Sequence, residues 1–416
     1  MTSTRWVVLA MLFFATTINY LDRIVFSVLI PVIRQELSLN DEQYGLVNMA
    51  FQVAYMIGFL FMGKLIDRVG TRLGYAISVI WWSIAAMLHA TARSALGLSF
   101  WRAMLGLGES GNFPAAVKAV AEWFPKQDRA FATGIFNAGT NVASMIGPPL
   151  FAWMVGSHGL GWNWRMCFLI TGASGFLWLV FWLSFRKKPN AAELAYIRSD
   201  APDDAAMRQV GWRQALGYRQ SWGFALAKFF TDPVWWFYLY WLPPYLYDVR
   251  KLDLKQIGWA LPVVYLMADV GSVAGGWFAG FLIRRGWRHD KARKFAMLVC
   301  ALMMPVASMA ALAPNTLLAV ALVSLATSAH QGLSANLYTT ISDVFPKNAV
   351  ASVIGIGGCA GGLGGTLFST WLAGWVVTYF GYTPLILGMG VFHLIAVLMV
   401  HRFMGDLKPL TMEGQS

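Results

Sequence analysis

Charged residues are scarce in this chain, and their scarcity excludes most soluble folds. Only 12% of the 416 residues are Asp, Glu, Lys or Arg, whereas 57% are hydrophobic and the mean hydropathy is +0.54. A soluble domain carries about 25% charged residues. The apolar residues form long continuous runs rather than short segments of alternating polarity, which excludes a transmembrane β-barrel. The composition therefore predicts an all-α membrane protein.

Cysteines, histidines and nucleotide-binding patterns are scarce as well. Cys167, Cys300 and Cys359 lie in apolar runs and have neither metal-ligand spacing nor the pattern of a disulfide framework. The six histidines are scattered without an HExxH pattern, and no GxxxxGK[ST] loop is present to cradle phosphates. The sequence thus argues against an enzyme and against an ATP-driven pump, and we expect neither a cofactor nor a metal.

Twelve apolar segments can be marked out, each long enough to cross a bilayer, which takes about 20 helical residues. They cover residues 6–33, 43–63, 74–92, 96–121, 131–156, 164–185, 221–247, 257–283, 294–312, 317–341, 351–379 and 382–402. The hydrophilic stretch at 189–220 separates an N-terminal half at 1–188 from a C-terminal half at 221–416. We expect six transmembrane helices in each half.

Lys and Arg residues concentrate in the loops on one side of the predicted bundle. The positive-inside rule explains the net charge of +12 better than nucleic-acid binding does, because the bases form no stripe. The rule predicts that both termini and the linker are cytoplasmic. The first apolar run is too long for a signal peptide and contains charged residues, so we interpret it as an uncleaved span.

An internal repeat supports the division into two halves. Phe124-Pro125-Lys126 precedes span five and Phe345-Pro346-Lys347 precedes span eleven, and the same offset places Gly134 on Gly355. Two parallel six-span repeats predict a substrate site near the midplane between the halves. Because each chain then contains a complete pathway, we expect a monomer.

Four charged side chains interrupt spans one and four. Asp22 and Arg23 are neighbours in span one, and Arg102 and Glu109 lie seven residues apart in span four, on one face of a helix. A charge in hydrocarbon costs about 2.5–3.5 kcal/mol on insertion scales, so these groups must face protein or a water-filled cavity. Two arginines with two carboxylates indicate an anion site with titratable partners. The alternative is a charge cluster that only holds the helices together.

Other polar residues in apolar spans are candidates to bind the hydroxyl groups of a small molecule. In spans five and ten these are Asn137, Thr140, His330, Gln331 and Asn336. In span seven, Tyr238 with its neighbouring tryptophans offers ring faces, with helix packing as the alternative. Lys228 and Asp232 in the same span are interpreted as a structural pair. Asp269 in span eight has no assigned role, and we expect it to contact span seven or ten.

The loop after span two carries the most specific motif. It combines glycine turns, one acid and several bases that can lock against the start of a neighbouring helix: Gly63, Asp67, Arg68, Gly70 and Arg72. Here the chain resembles the major facilitator superfamily, and the glycine–proline stretch at 139–149 resembles another motif of that superfamily. Residues 280–285 repeat the start of the loop, with Arg284 at the place of the acid.

A finer resemblance is to the anion:cation symporter family and, within it, to the bacterial hexuronate transporters. It is carried by the segments 19–23, 102–109, 122–126, 136–137, 232–235, 268–271 and 329–331. The resemblance implies a twelve-helix fold in the bacterial inner membrane and proton-coupled symport of a sugar acid, such as glucuronate or galacturonate, by alternating access. The alternative substrate is another organic anion: an aldonate, an aldarate or an aromatic acid.

The resemblance also implies roles for individual residues. Asp22 and Glu109 correspond to proton-coupling acids, and Tyr20 and Tyr55 to tyrosines that line the substrate site. Arginines present a planar fork suited to a carboxylate, which makes the two in spans one and four candidate ligands of the substrate anion. We expect a protonated acid to release an arginine for the substrate, so that a proton and an anion travel together.

Overall fold

The structure, a computed structural model, describes residues 4–39, 41–156, 159–185, 191–198, 212–252 and 254–410, and within them all regular secondary structure is helical. The helices are α1 (Thr4–Leu37), α2 (Asp41–Val69), α3 (Thr71–Leu88), α4 (Ala95–Glu109), α5 (Asn112–Trp123), α6 (Lys126–Val155), α7 (Trp164–Ser184), α8 (Ala191–Arg198), α9 (Trp212–Leu216), α10 (Arg219–Asp248), α11 (Leu254–Arg284), α12 (His289–Ser308), α13 (Thr316–Val344), α14 (Val350–Gly365), α15 (Leu372–Phe380) and α16 (Thr383–Met399). A π-helical segment, Thr366–Trp371, joins α14 to α15. Below, α1–α7 are called the N-half and α10–α16 the C-half.

Nine helical stretches of the described chain are long and apolar enough to cross a membrane, by length and composition. The predicted spans at 96–121, 131–156 and 221–247 are helical but do not belong to these nine. Arg102, Glu109 and Lys118 interrupt the first of the three. The count of twelve spans and the cytoplasmic position of the termini stay predictions. Of the predicted linker at 189–220, only residues 191–198, which form α8, and residues 212–220, which begin with α9, lie within the described chain.

Polar caps explain where three of the long helices begin. The side chain of Ser94 accepts a hydrogen bond from Gly97 N at the start of α4, and Asn315 accepts one from Leu318 N at the start of α13. Asn163 does the same at the start of α7. Each cap satisfies a backbone N–H that has no partner inside the helix.

The two halves meet through two helix pairs that the internal repeat relates to each other. α2 packs on α14, and α6 packs on α11. A Cβ atom on Gly134 of α6 would overlap the Ser272 carbonyl of α11, and one on Gly355 of α14 would overlap the Phe59 carbonyl of α2. The glycines that the repeat aligns therefore make equivalent close contacts between helices.

The predicted fourth span is broken in its middle. α4 ends at Glu109 and α5 begins at Asn112, with a bend at Ser110 and Gly111. A Cβ atom on Gly111 would overlap the Ser78 hydroxyl of α3, so glycine is needed for this close packing. The break places Glu109 at a helix end inside the bundle rather than within a continuous helix.

The outer surface of the bundle is apolar. Large hydrophobic side chains such as Phe61, Leu96, Phe181 and Leu317 are more than half exposed. Extended apolar surface of this kind is rare on proteins that face water. It matches helices whose outer faces contact lipid.

Candidate functional site

A buried ion pair joins α1 to α4. Arg23 Nε donates to Glu109 Oε2 at 2.9 Å, and the Arg102 guanidinium donates through Nη1 to the Arg23 carbonyl at 3.1 Å. All three side chains are almost completely buried. The remaining oxygen of the carboxylate, Glu109 Oε1, and both Nη atoms of Arg23 have no hydrogen-bond partner among the described atoms. The two opposite charges compensate each other, but several of their polar atoms have no hydrogen-bond partner among the described atoms. The two side chains can therefore exchange partners.

Aromatic rings surround the Arg23 guanidinium. Its Cζ lies 4.4 Å from the Tyr20 ring centroid, 4.5 Å from that of Tyr55 and 5.1 Å from that of Phe51. Attraction between a cation and the ring faces partly replaces the lost water. Tyr20 and Tyr55 also form part of the wall of a cavity between the two halves. Arg23 therefore lies one side-chain layer behind that wall.

Asp22 lies on another face of α1 from its neighbour Arg23. Its side chain is fully buried, and its polar neighbour is the Thr171 hydroxyl of α7. The structure thus brings three of the four intramembrane charges of spans one and four together, and leaves Asp22 outside that group.

A cavity lies between the two halves. Its volume is about 60 Å³, well below the about 300–1,000 Å³ of a pocket that encloses a small molecule, so in this conformation the wall residues lie close together. The N-half contributes Tyr20, Gln52, Tyr55, Phe113, Asn137 and Thr140 to its wall. The C-half contributes Lys228, Asp232, Trp235, His330, Gln331 and Tyr338.

Amide and imidazole groups form the polar part of the wall. Asn137 Nδ2 donates to Gln331 Oε1 at 2.6 Å, which joins the two halves directly at the cavity. His330 stacks on Trp235 with ring centroids 5.5 Å apart, and its Nδ1 is 3.1 Å from Nε2 of His393 on α16. The wall therefore offers amide donors and acceptors beside an aromatic face, a combination that suits a polyhydroxylated molecule.

The cavity wall includes six of the predicted substrate residues and leaves out four. Tyr20, Tyr55, Asn137, Thr140, His330 and Gln331 line it. Arg23 and Arg102 lie behind it. Tyr238 is buried in the hydrophobic core, and its hydroxyl has no hydrogen-bond partner among the described atoms. Asn336 donates to the Gly275 carbonyl of α11 and to the Gly332 carbonyl of its own helix, so it joins α13 to α11.

Sequence reasoning missed several residues of the wall, among them Gln52, Phe113, Tyr338, Lys228 and Asp232. Lys228 and Asp232 were interpreted as a structural pair, and they do form an ion pair, with Nζ and Oδ1 2.6 Å apart. Both also line the cavity. The available signal was the presence of two opposite charges four residues apart in an apolar span.

Asp269 contacts a different helix from the two that were expected. Its Oδ1 accepts a hydrogen bond of 2.6 Å from Asn141 Nδ2 on α6. Spans seven and ten were the predicted partners. The contact crosses to the N-half because α11 packs along α6, a pairing that residue spacing within span eight does not reveal.

One end of the bundle, called the closed end, is held by charged residues of both halves. The carboxylate of Asp67, at the end of α2, accepts 2.8 Å and 2.7 Å hydrogen bonds from Lys118 Nζ and Ser352 N. Asp343 at the end of α13 pairs with Arg129 of α6 at 3.4 Å and with Arg293 of α12 at 3.1 Å.

The predicted conformational loop lies at this closed end. A Cβ atom on Gly63 would overlap the Ala351 carbonyl at the start of α14, and Gly70 has a φ of +86° that favours glycine. Arg72 donates to the Leu183 carbonyl at the end of α7. Within this motif, Asp67 reaches the C-half through the hydrogen bond from Ser352 N.

The second copy of the motif, at residues 280–285, packs against the N-half as the first copy packs against the C-half, but a base stands in the place of the acid. Gly280 of α11 packs on the Gln127 carbonyl in α6, and Arg284 lies 3.9 Å from Asp128 in the first turn of α6. The acid that the second copy lacks is thus supplied by the helix on which it packs.

The described residues contain no cluster of three or more His, Cys, Asp or Glu side chains that could hold a metal ion. The cavity is instead defined by one ion pair, amides and aromatic rings.

Known proteins resemble the chain along most of its length. The profile described as Major Facilitator Superfamily matches residues 12–369. The chain is 32% identical over 408 residues to the hexuronate transporter of Escherichia coli (strain K12), covering 95% of this chain and 93% of that protein. It is 29% identical over 422 residues to the D-galactonate transporter of Escherichia coli O6:H1, covering 97% and 96%.

A solved structure has the same fold. The proton:xylose symporter bound to 6-bromo-6-deoxy-D-glucose matches with a TM-score of 0.75 at 15% identity, over 96% of this chain and 96% of that one. At this level of identity, the likeness concerns the arrangement of the helices.

Proposed function

The chain belongs to the Major Facilitator Superfamily, and on that premise we propose that it carries a sugar acid across the membrane together with protons. It is a multi-pass membrane transporter and not an enzyme. The proposed substrate is a hexuronate such as glucuronate or galacturonate. We propose the bacterial inner membrane as its location, with both termini cytoplasmic and the monomer as the working unit.

The observation that carries this proposal is the charge arrangement at the cavity between the halves. A cation lines the wall, and the buried Arg23–Glu109 pair lies one ring layer behind it. Asp232 neutralises Lys228 and Glu109 neutralises Arg23, so the site gains positive charge for an anion when an acid of either pair takes up a proton. The amides and ring faces of the wall suit hydroxyl groups and C–H faces. A sugar acid has all three features, and the E. coli relative at 32% identity is a hexuronate transporter.

Proton coupling is proposed to act through Glu109. While ionised, its carboxylate neutralises the Arg23 guanidinium at 2.9 Å. A proton on Glu109 removes this charge partner, and Arg23 can then attract the substrate carboxylate past Tyr20 and Tyr55. Proton and anion together leave the net charge of the site unchanged, which matters in a poorly hydrated interior. Asp22, on the α7 side of α1, is proposed as the second coupling acid.

We propose that the protein alternates between two conformations, and that the contacts at the closed end are formed in one and separated in the other. Asp67 holds the start of α14, and Asp343 joins α6 and α12. If these contacts separate while the opposite end shuts, the same cavity faces the other side of the membrane.

A second candidate substrate is an aldonate. The D-galactonate transporter of E. coli O6:H1 aligns over 97% of the chain at 29% identity. An aldonate has the same carboxylate and hydroxyl groups in an open chain, so competition between substrates distinguishes the two candidates.

The experiment is uptake of labelled D-glucuronate into proteoliposomes that contain the full chain, with and without an inward proton gradient. We expect uptake to rise with the gradient and to fall with excess unlabelled galacturonate, but not with neutral D-glucose. Stronger competition by D-galactonate would move the assignment to an aldonate. If the folded protein takes up neither D-glucuronate nor D-galactonate above the level of protein-free liposomes, the proposal is contradicted.

A further inference from the structure

We propose that Lys228 is the residue that binds the substrate carboxylate, and that Asp232 is a third proton-accepting acid that holds Lys228 until the substrate arrives. The proposal deepens the sugar-acid transport proposed above and rests on it. It moves the primary anion contact from the arginines of the N-half to the C-half.

Lys228 is the one Lys or Arg among the described residues that line the cavity. Its side chain is only 5% exposed, and its Nζ donates to Tyr338 Oη at 2.9 Å and pairs with Asp232 Oδ1 at 2.6 Å. Arg23, in contrast, is separated from the cavity by the rings of Tyr20 and Tyr55. Within the described part of the wall, Lys228 is therefore the first strong cation that a ligand in the cavity meets.

The pair is poorly explained as a structural link. Both members belong to α10, four residues apart, so the ion pair itself lies within one helix, and the link of Lys228 to α13 is its hydrogen bond to the neutral Tyr338 hydroxyl. Removing two charges from water costs free energy that a link within one helix does not recover through packing. The pairs Asp67–Lys118 and Arg129–Asp343, by comparison, each connect different helices.

The neighbouring helix α14 leaves room for the acid. A Cβ atom on Gly361 would overlap the Asp232 carboxylate, and Gly358 and Gly362 of the same helix line the cavity. The backbone of α14 therefore approaches Asp232 closely, which positions its carboxylate at the cavity wall.

Charge balance connects the proton to the substrate. With Asp232 ionised, the pair is neutral, and an arriving carboxylate would add one negative charge. If a proton from solution binds the Asp232 carboxylate, the Nζ of Lys228 exchanges that partner for the substrate carboxylate and the site stays neutral. No covalent bond other than the O–H bond forms or breaks.

Several helices place titratable or charged side chains around the Lys228–Asp232 pair. Some of these side chains face the pair, and others lie behind the residues that face it. They are Tyr20 and Arg23 of α1, Tyr55 of α2, Glu109 of α4, His330 and Tyr338 of α13, and His393 of α16. The pH dependence of binding therefore has several contributors, and the test isolates that of Asp232 by comparing variants.

The test is calorimetric binding of D-glucuronate to the purified full chain in detergent, at a mildly acidic and a mildly alkaline pH. The double variant Lys228→Gln with Asp232→Asn removes both charges and leaves no unpaired buried charge. We expect its affinity to fall by about tenfold or more, because a hydrogen bond to a charged group contributes about 1.5–3 kcal/mol. Lys228→Arg should keep part of the affinity.

Asp232→Asn alone tests the proton link. Without the competing carboxylate, Lys228 is permanently available, so we expect binding at alkaline pH to become tighter than in the wild type. The difference in affinity between the two pH values should shrink. An unchanged difference would overturn the role of Asp232.

A matched control removes one cation and one acid that pair outside the cavity. Arg288→Gln with Asp290→Asn breaks a 3.2 Å pair outside the cavity and should leave glucuronate affinity unchanged. If the wild type binds glucuronate and the Lys228→Gln, Asp232→Asn variant binds it equally well, the inference is wrong while the proposed function stands. If the folded wild type binds neither glucuronate nor D-galactonate, both are wrong.

Discussion

Glu109 occupies an unusual position for a buried acid. It is the last residue of α4, at the break before α5, and only one of its carboxylate oxygens has a partner among the described atoms. A helix interrupted within the bundle leaves polar groups that a continuous helix would satisfy internally. The position suits an acid that must gain and lose a proton while its arginine partner moves.

Substituting Glu109 by Gln tests the coupling role. The amide keeps the shape and a hydrogen-bond acceptor for Arg23 but cannot be ionised. We expect gradient-driven uptake in proteoliposomes to fall to the level of protein-free liposomes. Exchange of internal for external substrate should continue, because exchange needs no net proton movement.

The control for this prediction is Glu36→Gln. Glu36 is an acid of the N-half near the end of α1, and hydrogen bonds from Arg165 and Trp164 lower the pKa of its carboxyl group. It lies outside the site, so both gradient-driven uptake and exchange should be retained. Loss of exchange in a folded Glu109→Gln protein would argue that Glu109 only holds the helices together.

At the residue scale, the sequence predicted the buried charges better than it predicted the cavity wall. Arg23 and Glu109 were expected in one cluster of buried charges, because charges in apolar spans have few available partners, but which acid pairs with which arginine was left open. The cavity role of Lys228 could not be predicted, because it depends on how α10 faces α13 across the bundle. Tyr238 and Asn336 were expected in the site for their polarity, but their direction is set by packing within the C-half.

At the scale of helices, the two copies of the repeat form the contacts between the halves. Gly134 packs on α11 and Gly355 packs on α2 at equivalent places. Pro125 directly precedes α6, whereas Pro346 lies four residues before α14, which begins after Ala349, so the aligned motifs start the two helices differently. The repeat was visible in the sequence, whereas the break between α4 and α5 was not, because glycines also occur in unbroken helices.

Gly355→Val should prevent the close approach of α14 to α2. The added methyl groups would overlap the Phe59 carbonyl, so we expect a stability loss of about 1–3 kcal/mol and little transport. Thermal unfolding of the purified protein and glucuronate uptake measure the two effects. Gly388→Ala in α16 is the control, since nothing lies near its added Cβ atom. Normal transport by a Gly355→Val protein would contradict the close-contact role.

Asp67→Asn should weaken the closed end. The ion pair of Asp67 with Lys118 lies within the N-half, and the contact to the C-half is the hydrogen bond from Ser352 N. A hydrogen bond to a charged group contributes about 1.5–3 kcal/mol, so its weakening should make the form with a separated closed end about tenfold more populated. Val350, fully buried at the start of α14, can report this as a single cysteine after the three native cysteines are replaced. We expect faster labelling by a water-soluble maleimide in Asp67→Asn than in Glu36→Gln. Equal rates would show that Asp67 does not control this contact.

At the scale of the whole molecule, two helical halves enclose one cavity and are joined by the α2–α14 and α6–α11 contacts. The composition and the repeat predicted the helical class and the position of the site between the halves. The number of spans could not be derived from apolarity alone, because functional charges such as Arg102 and Lys118 lower the hydropathy of the helices that carry them. Asn137 of α6 and Lys228 and Asp232 of α10, which line the cavity, likewise belong to helices outside the nine apolar stretches.

The central claim is that sugar acid and protons cross together, and proton movement driven by substrate tests it most directly. Proteoliposomes with the full chain and a trapped pH-sensitive dye begin with equal pH on both sides, and D-glucuronate is added outside. We predict acidification of the interior, absent with D-glucose and absent in Glu109→Gln. Uptake of labelled glucuronate without any change of internal pH would contradict the claim, because the sugar acid would then cross without protons.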